Sequence, residues 1–172
     1  IEAGYFARTS ETIGMAQRGG CVVSHVRIDS KNASSIIPQR GADLLIGFEP
    51  FEAARNLYRL ASGGKCIVNT RPVQPVTASL SGAQNDTAAI YEYIKSNSVH
   101  SIFVDGFKLA QDAGSPKTLN VILLGVAAAA SFIPIEKDII INTIKHNVSP
   151  KYVDTNVRAF NIGFGYKENG CI

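Results

Sequence analysis

The sequence predicts an α/β protein: a three-layer domain with a mainly parallel sheet, helices on both faces, and a helical C-terminal third. Three observations predict it. Short β-branched runs, ADLLIG, KCIVN and SIFVD, alternate with stretches whose apolar residues recur at helical spacing. Strand, helix, strand, helix, strand in that order implies parallel pairing with crossover helices on either face. From Leu119 onward the patterning is helical only. A length of 172 residues, 45% of them hydrophobic and 18% charged, fits one domain over residues 1–172 with a core of its own.

The elements follow in order. IEAGY reads as the last turn of a helix closed by Gly4. FARTSE is a short strand, and CVVSHVRID, from Cys21 to Asp29, a second one in which Val23, His25 and Arg27 share one side and Val22, Ser24 and Val26 the other. ADLLIGFEP is a strand-to-helix junction, with Pro50 at the first helical position. Phe51, Ala54, Leu57, Tyr58 and Ala61 continue that helix, which Gly63 and Gly64 are expected to stop. KCIVNT is the next strand, and Pro72 and Pro75 hold the chain extended after it. Asp86 caps a helix through Lys95 with Ile90, Tyr93 and Ile94 inward. SIFVD is a strand and FKLAQDAG a short helix ended by Gly114. Three helices complete the chain: Leu119 to Phe132, Glu136 to Asn147, and Pro150 to about Phe164.

Composition narrows the function classes. A net charge of +3 with no dense basic run argues against nucleic acid. Cys21, Cys66 and Cys171 form no CxxC pair, so neither an iron–sulfur nor a zinc site is expected, and an odd count points to a reducing cytoplasm. Thr118 to Ile135 carries no charge, yet its alanine-rich centre between Asn120 and Pro134 reads as a buried helix rather than a membrane span. The chain opens on Ile1, which suggests that an amino-terminal portion is absent.

Ligands of open parallel sheets bind beyond the carboxyl ends of the strands, so GFEP, NTRP and VDGF should converge on one edge. Glu49 there reads as a helix-capping carboxylate, while Asn69 and Arg71 are placed for a ligand or partner. Asn120 is expected to be a buried hydrogen-bonding group tying helix to sheet. A second candidate surface is the loop GMAQRGG, where Gly14, Gly19 and Gly20 allow a tight turn that presents Met15, Gln17 and Arg18 to another surface. No nucleophile and base stand together in it. His25 reads as a sheet histidine, since Ser24 beside it faces the other way. No catalytic residue and no metal ligand is assigned.

With these segments in view, the chain resembles the gamma-type domain of the 2-oxoacid:acceptor oxidoreductases, and among them the beta subunits of the indolepyruvate:ferredoxin enzymes. The resemblance is carried by SETIGMAQRGGCVVSHVRI (Ser10 to Ile28), IIPQRGADLLIGFEPFEAAR (Ile36 to Arg55), IVNTRPVQPVT (Ile67 to Thr77) and DGFKLAQDAGSPKTLNVILLG (Asp105 to Gly125). Such subunits begin with a strand and a GGQG-type turn, both missing ahead of IEAGY. The resemblance implies a shared enzyme that decarboxylates an aryl or related 2-oxoacid on thiamine diphosphate, sends electrons through iron–sulfur clusters to ferredoxin and releases an acyl-CoA. Thiamine diphosphate, magnesium and the clusters would sit on the large partner subunit, with coenzyme A as co-substrate and no cofactor bound by this chain. The chain alone would be inactive. It would complete the complex through the glycine loop and the strand-end residues, with a homodimer contact also open. The competing readings are a stand-alone nucleotide- or CoA-binding or assembly module of the same fold, and the same subunit serving pyruvate or 2-oxoglutarate.

Overall fold

The expected alternation is present in the computed structural model, which describes residues 1–13, 21–28, 32–73 and 86–167. β1 (Ala7–Ile13) and β2 (Val22–Ile28) form an antiparallel hairpin. β3 (Ala42–Gly47), β4 (Leu60–Asn69) and β5 (His100–Val104) form a separate parallel sheet in that order. The helices are α1 (Pro50–Asn56), α2 (Thr87–Asn97), α3 (Gly106–Asp112), α4 (Leu119–Ala129), α5 (Lys137–Asn147) and α6 (Pro150–Phe164).

The central strand β4 alternates its buried side chains between two cores. Cys66 and Val68 face Ala53, Leu57 and Ile94 of the α1/α2 layer, and Ile67 faces Leu123, Val126 and Ala127 of α4. Each such aliphatic side chain taken fully out of water contributes about 1.5–3 kcal/mol. A third core joins α3, α4, α5 and α6 around Ile122 and Phe160. Helices α4 and α6 cross backbone against backbone. A Cβ on Gly163 would overlap the Ile122 carbonyl, and one on Gly125 the Phe160 carbonyl.

Several boundaries differ from expectation for identifiable reasons. IEAGY is a single turn, with Gly4 at φ 81° donating its N–H to the Ile1 carbonyl. Gly63 and Gly64 lie inside β4 rather than ending α1. The helix tightens into a 3-10 turn over Leu57–Arg59, and buried Leu60 already starts the strand. Gly64 is needed there because its added Cβ would meet the Ala42 carbonyl at 2.9 Å, beside the irregular register of Ala42 and Leu44. Tyr93 points outward, and Tyr91 takes the inward place beside Phe103. Helix α4 stops at Ala129, because Ser131 adopts φ 56° and Phe132 donates back to the Ala127 carbonyl.

The hairpin stands apart from these cores. Ile13 pairs with Val22 and Thr9 with Val26, and this face is open, Ile13 being 66%, Val22 58% and Val26 56% exposed. The opposite face carries His25, which is 2% exposed and pins the hairpin to the body. Arg8 adds a hydrogen bond to the Ala33 carbonyl.

Candidate functional site

Parallel register brings Gly47 level with Val68, and Asn69 level with Val104, so the three carboxyl-terminal loops emerge side by side. Asn69 joins them. Its side chain is 3% exposed, donates from Nδ2 to the Phe48 carbonyl at 3.0 Å, and accepts at Oδ1 from the Gly106 N–H at 3.1 Å. One side chain thus satisfies a carbonyl after β3 and the first amide of α3. The sequence-based assignment of a tie between helix and sheet to Asn120 is corrected accordingly. Asn120 is exposed on the first turn of α4, whose packed face takes Val121, Ile122 and Leu123.

Glu49 caps α1 as expected: extended at φ −149°, it accepts the Glu52 N–H at Oε2, 2.8 Å away. Its other oxygen, Oε1, is buried with no hydrogen-bond partner among the described residues. Tyr91 stands close by, donating its hydroxyl to the Thr70 carbonyl at 2.6 Å. Burial first, and the Glu49 charge second, raise the Tyr91 phenol above its ordinary range, which keeps it a donor.

Arg71 is exposed, its guanidinium stacked 4.0 Å over the Phe107 ring. Thr70, Arg71, Asp105, Phe107, Lys108 and Gln111 line an open cleft of about 460 Å³ at this edge. Asp105 caps α3 by accepting the Lys108 N–H at 3.1 Å. Tyr91, Phe107, Lys108 and Gln111 were not singled out from sequence. The available signal was that Phe107 and Gln111 lie one helical turn apart just after VDG.

Of the residues assigned from sequence, Glu49, Asn69 and Arg71 therefore meet at one edge. Gly14, Met15, Gln17, Arg18, Gly19 and Gly20 lie outside the described residues, between β1 and β2.

Among the described residues, the two thiols and His25 are unsuited to nucleophilic work. Burial pushes the Cys66 thiol up to about 12. Cys21 is held above its ordinary range by hydrogen bonding to Glu52 and by that carboxylate's charge, against the opposing pull of Arg55. His25 accepts the Ile37 N–H at Nδ1, 3.3 Å away, which leaves the proton of the neutral ring on Nε2, buried with no hydrogen-bond partner among the described residues. Desolvation and then the charge of Arg59 lower its pKa. Among the described residues no three His, Cys, Asp or Glu side chains gather as a metal ion requires, and no helix is long and apolar enough to cross a membrane.

Residues 1–166 match the family model of the pyruvate ferredoxin/flavodoxin oxidoreductases. The chain belongs to this family. Similar members include the indolepyruvate oxidoreductase subunit IorB of Thermococcus kodakarensis, 35% identical over 165 residues that cover 95% of this chain and 82% of that protein. The IorB of Methanothermobacter thermautotrophicus is 36% identical over 159 residues, covering 91% of this chain and 80% of its own. In fold the chain is similar to the gamma subunit of a keto/oxoacid ferredoxin oxidoreductase from Geobacter sulfurreducens, with TM-score 0.63 and 19% identity over 95% of this chain and 83% of that one. As a family member it presents three features on one molecule: a strand-end edge locked by Asn69, a cationic cleft beside it, and a projecting hairpin.

Proposed function

We propose that the chain is the smaller subunit of a cytoplasmic 2-oxoacid:ferredoxin oxidoreductase, serving the oxidative decarboxylation of indolepyruvate or a related aryl 2-oxoacid to an acyl-CoA. The observation that carries this is the similarity to indolepyruvate oxidoreductase subunits across nearly the whole chain, 35% and 36% identical over 165 and 159 residues. The donor set is consistent with a division of labour. Of the described cysteines, Cys66 is sealed in the sheet and Cys21 lies on the surface beside Glu52 and Arg55, and no metal-ligating trio forms among the described residues. In this reading thiamine diphosphate, magnesium and the iron–sulfur clusters belong to a larger partner subunit, where thiamine diphosphate would supply the decarboxylation chemistry. Coenzyme A is the co-substrate and ferredoxin the electron acceptor.

In this reading the chain's own residues bind and orient rather than react. The open hairpin face, with Ile13, Val22 and Val26 interleaved by Thr9, Glu11 and Ser24, gives a mixed apolar and polar surface for the larger subunit. A two-stranded hairpin is marginal in water, so packing against a partner would stabilise it.

Co-expression with the larger subunit, followed by viologen reduction with indolepyruvate, pyruvate and 2-oxoglutarate, each with coenzyme A, tests the proposal. Expected is a stable complex that reduces viologen best with indolepyruvate, while the isolated chain does nothing. A chain that stays monomeric beside the co-expressed subunit would overturn the reading in favour of a stand-alone binding module. Preference for pyruvate or 2-oxoglutarate would overturn the substrate.

A further inference from the structure

The cleft beside Asn69 has a chemistry of its own. Its wall is formed by Thr70 and Arg71 after β4 and by Asp105, Phe107, Lys108 and Gln111 around the start of α3. Two of these six side chains are cations, and among the described residues neither lies within ion-pair distance of a carboxylate, since the ion pairs there are Arg55 with Glu52 and Lys95 with Glu92. The single acid of the lining, Asp105, gives one oxygen to the Lys108 amide as a helix cap.

We propose that this cleft is a binding site for a small molecule bearing an oxyanion, a phosphate or a carboxylate, held by Arg71 and Lys108. Stacking at 4.0 Å on Phe107 occupies a face of the Arg71 guanidinium and leaves its N–H edge for an acceptor. A guanidinium fork restrained in this way loses less side-chain freedom on binding than a mobile lysine does, and its geometry matches two oxygens of one anion. Lys108 supplies a second, adjustable charge, and Thr70 and Gln111 supply neutral donors. The cleft's position at the carboxyl ends of parallel strands is where open α/β sheets bind ligands. This inference concerns the chain by itself and does not rest on the substrate proposed above.

The test is an NMR titration of the full chain with inorganic pyrophosphate and, separately, with oxalate, at low ionic strength. Expected are saturable shifts of the amides at Arg71 and from Phe107 to Gln111. Affinity should weaken about tenfold or more in Arg71→Gln, a loss equivalent to about 1.4 kcal/mol. Arg71→Lys should fall between, and Lys108→Gln should weaken binding more modestly. Whichever anion saturates the site identifies phosphate or carboxylate as the recognised group. Absence of shifts with both anions, shifts confined to other surfaces, or unchanged affinity in Arg71→Gln would overturn the proposal. Arg71 is exposed, so its variants should keep the wild-type circular dichroism. Co-purification with a larger subunit is a separate readout, so failure of one idea leaves the other standing.

Discussion

Replacing Asn69 by alanine probes the organisation of the whole strand-end edge. The substitution removes both hydrogen bonds of a side chain only 3% exposed, orphaning the Gly106 N–H and the Phe48 carbonyl. A buried polar group left without a partner costs about 1–3 kcal/mol. The Gly106 bond is fully buried and the Phe48 bond partly so, which places the sum at about 3 kcal/mol. For a chain of this size such a loss corresponds to a fall in Tm of about 6–12 °C. Urea denaturation followed by circular dichroism measures the free energy, and hydrogen exchange at the Gly106 amide reports the local opening. Asn69→Asp preserves the acceptor for Gly106 but sets a carboxylate oxygen against the Phe48 carbonyl, so it should destabilise at least as much at neutral pH. An alanine variant within about 0.5 kcal/mol of wild type, with Gly106 equally protected, would refute the clamp, because surface-like substitutions fall in that range.

Other consequences of the structure are equally direct. His25 has its pKa lowered in the folded protein, so just below its unfolded value the unfolded chain binds the extra proton. Stability should be complete above about pH 6.5 and fall as the pH drops through the interval down to the folded pKa; thermal melts across that range should show it, and His25→Gln should flatten the profile. Gly163→Ala would drive a methyl into the Ile122 carbonyl at the α4–α6 crossing, and overpacking against backbone should cost about 3 kcal/mol, read as a lowered urea midpoint. Glu49→Ala removes the cap on α1 and also a buried oxygen that has no partner among the described residues. The two effects oppose, so the net loss should stay below the usual value of about 1 kcal/mol for a capping residue, and a loss above 2 kcal/mol would show that Oε1 is satisfied in solution. Val26→Lys, on the open hairpin face, should leave Tm within about 1 °C yet reduce co-purification with the larger subunit. An unchanged yield of complex would remove that face from the interface.

Much of the fold was determined by local pattern. Periodicity placed the two outer strands and the two C-terminal helices within a residue or two, and the carboxyl end of the central strand, because a buried strand and an amphipathic helix each leave a repeat that survives without tertiary context. The capping roles of Glu49 and Asp86 were legible for the same reason, as an acceptor reaching the amide three residues on is a local contact. Long-range contacts decided the rest. Gly63 and Gly64 carry the composition of a helix stop, yet the approach of Gly64 to the Ala42 carbonyl puts them inside a strand. Asn120 has the composition of a buried tie at a helix start, but that tie is made by Asn69, 37 residues before its partner Gly106. The cation at Arg71 was visible in the sequence. Its stacking on Phe107, 36 positions away, and the cleft they share with Lys108 arise only because parallel pairing sets the ends of β4 and β5 side by side.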